Sequence, residues 1–220
     1  MSNVIISPYS FGAPKEIINF DMSTSANWTF TGTTCSINTT SEYLEGSSTV
    51  NDDRGNSEIQ SGFTLSDTLW IIRQKFDITA QSGTSGNVGQ LYFGYTDKDN
   101  TTGVIGTRDG IGIVVRNGAI TDMLQGYANN QAWQGFALST SPSVTTYYLE
   151  LKRNSATSIT LTLYSNSAFT TVVETKTSTI SADITGLKYI MIGGWDNGAS
   201  GVSTVRVSDI VIYDNYSSVP

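Results

Sequence analysis

The 220-residue chain has no histidine and a single cysteine, Cys35. Without histidine there is no Ser-His-Asp or Cys-His nucleophile and no His-ligated metal. A lone thiol excludes an intrachain disulfide and a cysteine-based zinc site. Basic residues are also scarce: 12 Lys and Arg stand against 19 Asp and Glu, a formal charge of −7. Such a balance excludes the basic stripe with which a nucleic-acid surface displaces counterions. Charged residues make up only 14% of the chain, too little Lys and Glu for a helical protein. No apolar run approaches the ~18 residues of a membrane span. Met1 to Pro8 shows no basic start, long apolar stretch or small-residue cleavage site, so no signal peptide is expected there.

What is present is neutral and polar. Ser and Thr together supply about a quarter of the chain, and apolar residues 38%, too many for disorder. Few Lys with many Ser, Thr, Asn and Gly is the habit of proteins that work outside cells. The expected location is therefore extracellular or a virion surface, the latter reached by folding in a host cytosol and release by lysis. Four Asn-x-Ser/Thr matches, beginning at Asn27, Asn38, Asn100 and Asn215, read as chance in so Ser/Thr-rich a sequence.

Period-two alternation recurs along the chain, and no amphipathic helix does. Tyr147, Leu149 and Leu151 alternate with Tyr148, Glu150 and Lys152, and Ile159, Leu161 and Leu163 alternate with Thr160 and Thr162. The polar Asn154 to Thr157 between them predicts one hairpin. Further strands are predicted at 28–31, 36–39, 58–63, 70–79, 90–96, 111–116, 135–138, 172–180, 188–193 and 202–213. The run 188–193 reads as buried on both faces, and a bulge is expected near Ser208-Asp209. A dozen strands with turns between them indicate a sandwich or barrel in one domain. Residues 1–19, interrupted by Pro8 and Pro14, read either as an edge strand or as an arm that docks on another subunit, and residues 20–220 as the sandwich.

The order of segments carries a resemblance. Phe20-Asp21 and Trp28-Thr29 come first, then Phe63-Thr-Leu-Ser-Asp-Thr-Leu-Trp70-Ile-Ile-Arg73, Gln90 to Asp97 and Asp109-Gly-Ile-Gly-Ile113. Lys188 to Gly193, Asp196-Asn-Gly198 and Val207 to Asp214 close the series. Over residues 20 to 214 this resembles the concanavalin A-like, laminin-G-like jelly rolls of environmental phage, archaeal and bacterial surface proteins. The resemblance implies an all-β concanavalin A-like jelly-roll β-sandwich of two antiparallel sheets. That fold hosts lectins, glycan-binding modules, polysaccharide hydrolases and structural parts, so function must be read from sites.

Glycosidases on this fold need two carboxylates about the sugar bond, and the laminarinase-type ones carry a Glu-x-Asp-x-x-Glu run. None of the six glutamates, at 16, 42, 45, 58, 150 and 174, begins one, so no catalytic residues are assigned. The resemblance also implies one structural Ca2+ where the N-terminal and last strands meet, with Asp21 and Asp209 as ligands; the alternative is an Asp209 that bonds its own bulge. Glycan recognition stacks aromatic rings on sugar C–H groups and bonds hydroxyls with amides and carboxylates. Trp133, beside Tyr127 in a polar stretch, and Trp195, followed by Asp196 and Asn197, fit that chemistry, against ordinary packing at a sandwich end. Trp28 and Trp70 belong to strand patterns and are expected in the core. The resulting expectation is a non-enzymatic, surface-displayed sandwich. It would be a virion decoration or adhesion protein with glycan as ligand, with other subunits contacted through the arm, and a homo-oligomer. A polysaccharide-active enzyme or its binding module, and a purely structural particle component, are the alternatives.

Overall fold

Strands that alternate apolar and polar residues have one face to bury, and two such sheets bury theirs together. The computed structural model describes residues 15–48, 54–82, 89–99, 109–117, 123–129, 133–138, 143–196 and 202–220, and every regular element among them is a strand. In chain order these are β1 (Glu16–Asn19), β2 (Thr29–Thr31), β3 (Cys35–Asn38), β4 (Tyr43–Ser47), β5 (Arg54–Glu58), β6 (Trp70–Ser82), β7 (Gly89–Thr96) and β8 (Gly110–Asn117). There follow β9 (Met123–Asn129), β10 (Trp133–Ala137), β11 (Thr146–Ser155), β12 (Ser158–Tyr164), β13 (Val172–Thr179), β14 (Tyr189–Asp196) and β15 (Val202–Asp214). One antiparallel sheet runs β13-β12-β11-β6-β15-β4-β3 with β1 beside β15; the other runs β10-β9-β8-β7-β14-β5-β2.

The predicted hairpin is β11–β12, with Leu149 opposite Leu163 and Leu151 opposite Leu161, all buried. With Trp70, Ile72, Phe76 and Ile78 of β6 they form one wall of the core. Leu91, Phe93, Tyr95, Ile111, Ile113, Ile190 and Ile192 form the facing wall. Fully burying each such aliphatic side chain is worth about 1.5–3 kcal/mol. The polar exception on β6 is Gln74, whose side-chain oxygen accepts the Tyr95 hydroxyl across the sandwich at 2.9 Å. Trp28 and Trp70 are buried, as their strand patterns predict.

The expected bulge is present. The β6–β15 register slips between Ser208 and Val211, and Asp209 takes φ 53°. Before the slip β15 pairs with β4, Val207 opposite Leu44; beyond it β15 pairs with β1, Val211 opposite Asn19. Since β6 occupies the other edge throughout, the kink lets β1 succeed β4 along one edge of β15. Residues 16–19 are thus an integral strand of the sheet; residues 1–14 lie outside the described residues.

Strand β14 is buried on both faces, as its apolar run predicts. Ile190 and Ile192 face the core, while Met191 joins Tyr92 and Val114 in a separate buried cluster on the sheet's other side. The middle of that outer face is therefore covered. One predicted strand is displaced: pairing occupies Arg54–Glu58, and Ile59 to Phe63 turn away, with Phe63 N–H donating to Gln60 O at 3.0 Å. Arg54, Gly55, Asn56 and Ser57 are all buried, so this strand shows no alternation to read. Strands β4 and β9 lie outside the predicted set, and Trp133 begins a strand where a loop was expected.

Candidate functional site

Beyond β1 the chain makes three short-range hydrogen bonds in eight residues. Asp21 Oδ1 accepts Ser23 N–H at 2.8 Å, Thr24 Oγ1 accepts Ala26 N–H at 3.2 Å, and Trp28 N–H donates to Ser25 O at 3.0 Å. Such side-chain and backbone turns suit Asp, Ser and Thr. They bring Trp28 back onto the sandwich, where its ring stacks on Phe30 (centroids 5.8 Å apart, 15°) and meets Phe20 edge-on at 6.0 Å. Phe30 in turn lies on Gly55 of β5: a Cβ there would overlap Phe30 Cε1. A glycine on one strand thus seats the aromatic group of another.

Glu58, the last residue of β5, stands nearby. Its carbonyl accepts the Ser57 hydroxyl at 3.0 Å, and its carboxylate accepts the Tyr189 hydroxyl at 3.4 Å. Ile59 N–H donates to Lys188 O at 2.8 Å and fixes the turn that follows. Between this turn and the Asp21–Trp28 loop lies a cleft of about 500 Å³, within the ~300–1,000 Å³ of small-ligand sites. Phe20, Trp28 and Ile59 give it apolar surface; Asn19, Asn27 and Gln60 give amides, and Asp21 and Glu58 carboxylates. Trp28 is only 9% exposed and presents little of its ring. The Ser23 hydroxyl and backbone N–H hold the exposed Asp21 carboxyl below the usual carboxylate range, so it is an acceptor at neutral pH.

The register locates the residues singled out in the sequence. Tyr127 of β9 sits opposite Gly112 and Gly135, and Trp133 opposite Asn129 on the adjoining strand, so these two are close neighbours on one hairpin. Trp195 and Asp196 end β14, opposite Gln90 and Gly89. Following the pairings, Trp133 shares a row with Asn129, Gly110, Thr96, Tyr189 and Glu58. Trp195 shares one with Gln90, Arg116 and Met123. Six residues along β14 and four strands across, the two tryptophans are about 20 Å apart in each direction, and the fold does not gather them into one site. Asn197 lies outside the described residues.

Phe20 N–H donates to Ile210 O at 3.0 Å, so the N-terminal and last strands do meet beside Asp21 and Asp209. The two carboxylates nevertheless line different clefts: Asp209 belongs to one of about 260 Å³ with Asn19 and Glu42. Calcium takes 6–8 oxygens. Among the described residues no group of three or more His, Cys, Asp or Glu lies together, so an ion held by Asp21 and Asp209 would draw most of its shell from backbone carbonyls, amides or water.

Sequence reasoning missed the cleft. It placed Trp28 in the core, which is right for burial, and passed over Glu58, Asn27 and Gln60. The available signal was an amide beside a tryptophan at Asn27-Trp28 and an acid and an amide about one apolar residue at Glu58-Ile59-Gln60. Their convergence depends on long-range pairing.

No protein-family model matches the chain, and no curated protein matches it in sequence. Solved structures do match in shape. The VIP36 exoplasmic/lumenal domain, in a Ca2+/Man3GlcNAc-bound form, aligns with a TM-score of 0.59 at 11% identity, covering 93% of this chain and 90% of that one. The CBM2 module of the evolved Dit of Lactobacillus casei BL23 phage J-1 aligns at 0.55 and 9%, covering 93% and 98%. The alginate lyase from Klebsiella pneumoniae aligns at 0.50 and 9%, covering 80% and 82%. At such identities the likeness is one of fold. The chain is an all-β, concanavalin A-like jelly-roll sandwich of two antiparallel sheets.

Proposed function

We propose that this chain is a non-enzymatic, saccharide-binding jelly roll displayed on a surface, that of a virion or a cell. The observation that carries the reading is the cleft beside Trp28, where apolar surface, three amides (Asn19, Asn27 and Gln60) and two carboxylates converge in a volume that suits a small saccharide. Sugars present apolar C–H faces and dense hydroxyls, and this lining offers partners for both. The shape shared with a Man3GlcNAc-bound domain and with a phage module supports the reading. So does a composition in which Ser and Thr, more than charge, carry the surface.

Two carboxylates in one cleft raise the enzymatic alternative, as does the lyase likeness. A glycosidase needs one acid kept protonated, usually by burial. Asp21 is exposed and shifted toward ionisation, and Glu58 is exposed as well. The arrangement favours binding over bond cleavage. Affinity electrophoresis through polysaccharide-containing gels tests this: retardation without release of reducing ends is expected. Reducing ends or unsaturated products would favour the enzyme.

The Tyr127–Trp133 hairpin is a second proposed sugar contact, and Trp195 with Asp196 and Asn197 a third, each tested by Trp133→Ala or Trp195→Ala in the same gels. Residues 1–14 are the proposed contact with other subunits, and the assembly is proposed to be a homo-oligomer. Deleting them is expected to leave the melting temperature unchanged and to lower the assembled mass in light scattering. Calcium at Asp21 and Asp209 is not part of the reading. Neither EDTA nor added Ca2+ is expected to move the melting temperature, and a rise of several degrees with Ca2+ would place an ion there.

A further inference from the structure

The charged groups of the cleft are of one sign. Asp21 and Glu58 come from different segments and are both exposed. Neither makes an ion pair among the described residues, and no Lys or Arg is among the cleft's described lining. Lys188 lies over the Tyr189 ring, 5.2 Å from its centroid. Ionised carboxylates only accept hydrogen bonds, and an ammonium group only donates them. We propose that this cleft selects saccharides bearing a protonated amine over neutral ones, and discriminates against those bearing carboxylate or sulfate. The proposal rests on the saccharide reading of the same cleft and adds the charge of the ligand to it.

The physical argument is electrostatic complementarity against a hydroxyl-binding background. The amides of Asn27 and Gln60 serve any sugar equally, because a hydroxyl can donate or accept. The carboxylates distinguish: an ammonium gains charge-assisted bonds, and an anionic sugar meets like charge. A solvent-exposed ion pair is worth up to about fivefold in affinity, so two carboxylates give roughly five- to twentyfold selectivity. Because both groups are exposed, the preference fades as salt rises.

The test is calorimetric titration of the full chain with three probes of equal length: a glucosamine oligosaccharide, its N-acetylated counterpart and an oligouronate. The expected order is glucosamine tightest by about five- to twentyfold, the uronate weakest. Asp21→Asn with Glu58→Gln keeps the oxygens that accept from Ser23 and Tyr189 and is expected to bring the glucosamine probe down to its N-acetylated counterpart. Equal or tighter binding of the N-acetylated or uronate probe would overturn the charge selection and leave the saccharide reading standing. So would a preference that survives the double substitution. Binding of none of these, with no saccharide retained in the gels, would overturn both.

Discussion

Gly55 has room for a hydrogen and little else. Its missing side chain is filled by the Phe30 ring, which supports Trp28 at the cleft. Gly55→Ala is expected to cost about 1–3 kcal/mol, as overpacking does, with weaker saccharide retention; an unchanged denaturation midpoint would contradict the contact. Asp214 is a second residue with a definite consequence. It is buried, accepting Ser66 N–H at 2.8 Å and the Asn215 side-chain amide at 2.9 Å. Burial raises its pKa, and Glu16 and Asp67 push the same way against the hydrogen bonds from Ser66 and Asn215. The native state therefore holds this proton more tightly than the unfolded chain does. Its contribution to stability is fully present below the unfolded pKa of ~3.9 and is lost as pH rises through the folded value. Asp214→Asn should make melting temperature less dependent on pH in that window, and an unaltered slope would contradict this. At this scale the sequence revealed little. Trp28 and Trp70 were legible as buried from their strand patterns. The closeness of Gly55 to Phe30, or of Asp214 to Glu16, is set by pairings that no local pattern encodes.

Elements were legible where one face is apolar and the other polar. The β11–β12 hairpin, the doubly buried β14 and the bulge in β15 follow from alternation, its loss and its slip, and all three are present. Strand β5 was misplaced because Arg54, Gly55, Asn56 and Ser57 are buried polar or small residues. The cleft was missed with it, since Glu58 is where β5 ends. Strand β13 carries a different consequence. It closes the eight-stranded sheet, no strand pairs with its outer edge among the described residues, and Val172 and Val173 are about half exposed. Glu174 and Lys176 pair in register with Leu163 and Leu161, so these charges lie on the sheet face that carries the core. Inward-pointing charges on an edge strand discourage pairing with another chain. Replacing both, Glu174→Val with Lys176→Val, is expected to raise the mass seen by light scattering at fixed concentration. An unchanged mass would show that the edge is guarded by something else.

The whole molecule is two sheets packed on a common core, with the outer centre of the seven-stranded sheet covered and a polar-aromatic cleft left open at an edge. The absence of histidine and the single cysteine narrowed the chemistry from the start, and the cleft accords with them: it holds acceptors, amides and ring surface, suited to holding a ligand. The fold was legible in segment order because a jelly roll repeats its strand signals along the chain. The site was not, because it is assembled from the β1–β2 connection and the end of β5, some thirty residues apart in the chain and brought together by the pairing of β2 with β5. The claim that this cleft binds saccharide is tested most directly by a glycan array probed with the wild-type chain and with Asn27→Ala/Gln60→Ala. Both positions are exposed. Saccharides retained by the wild type and lost by a variant of unchanged melting temperature are the predicted result. Retention of none, or retention that the double substitution leaves intact, would contradict it.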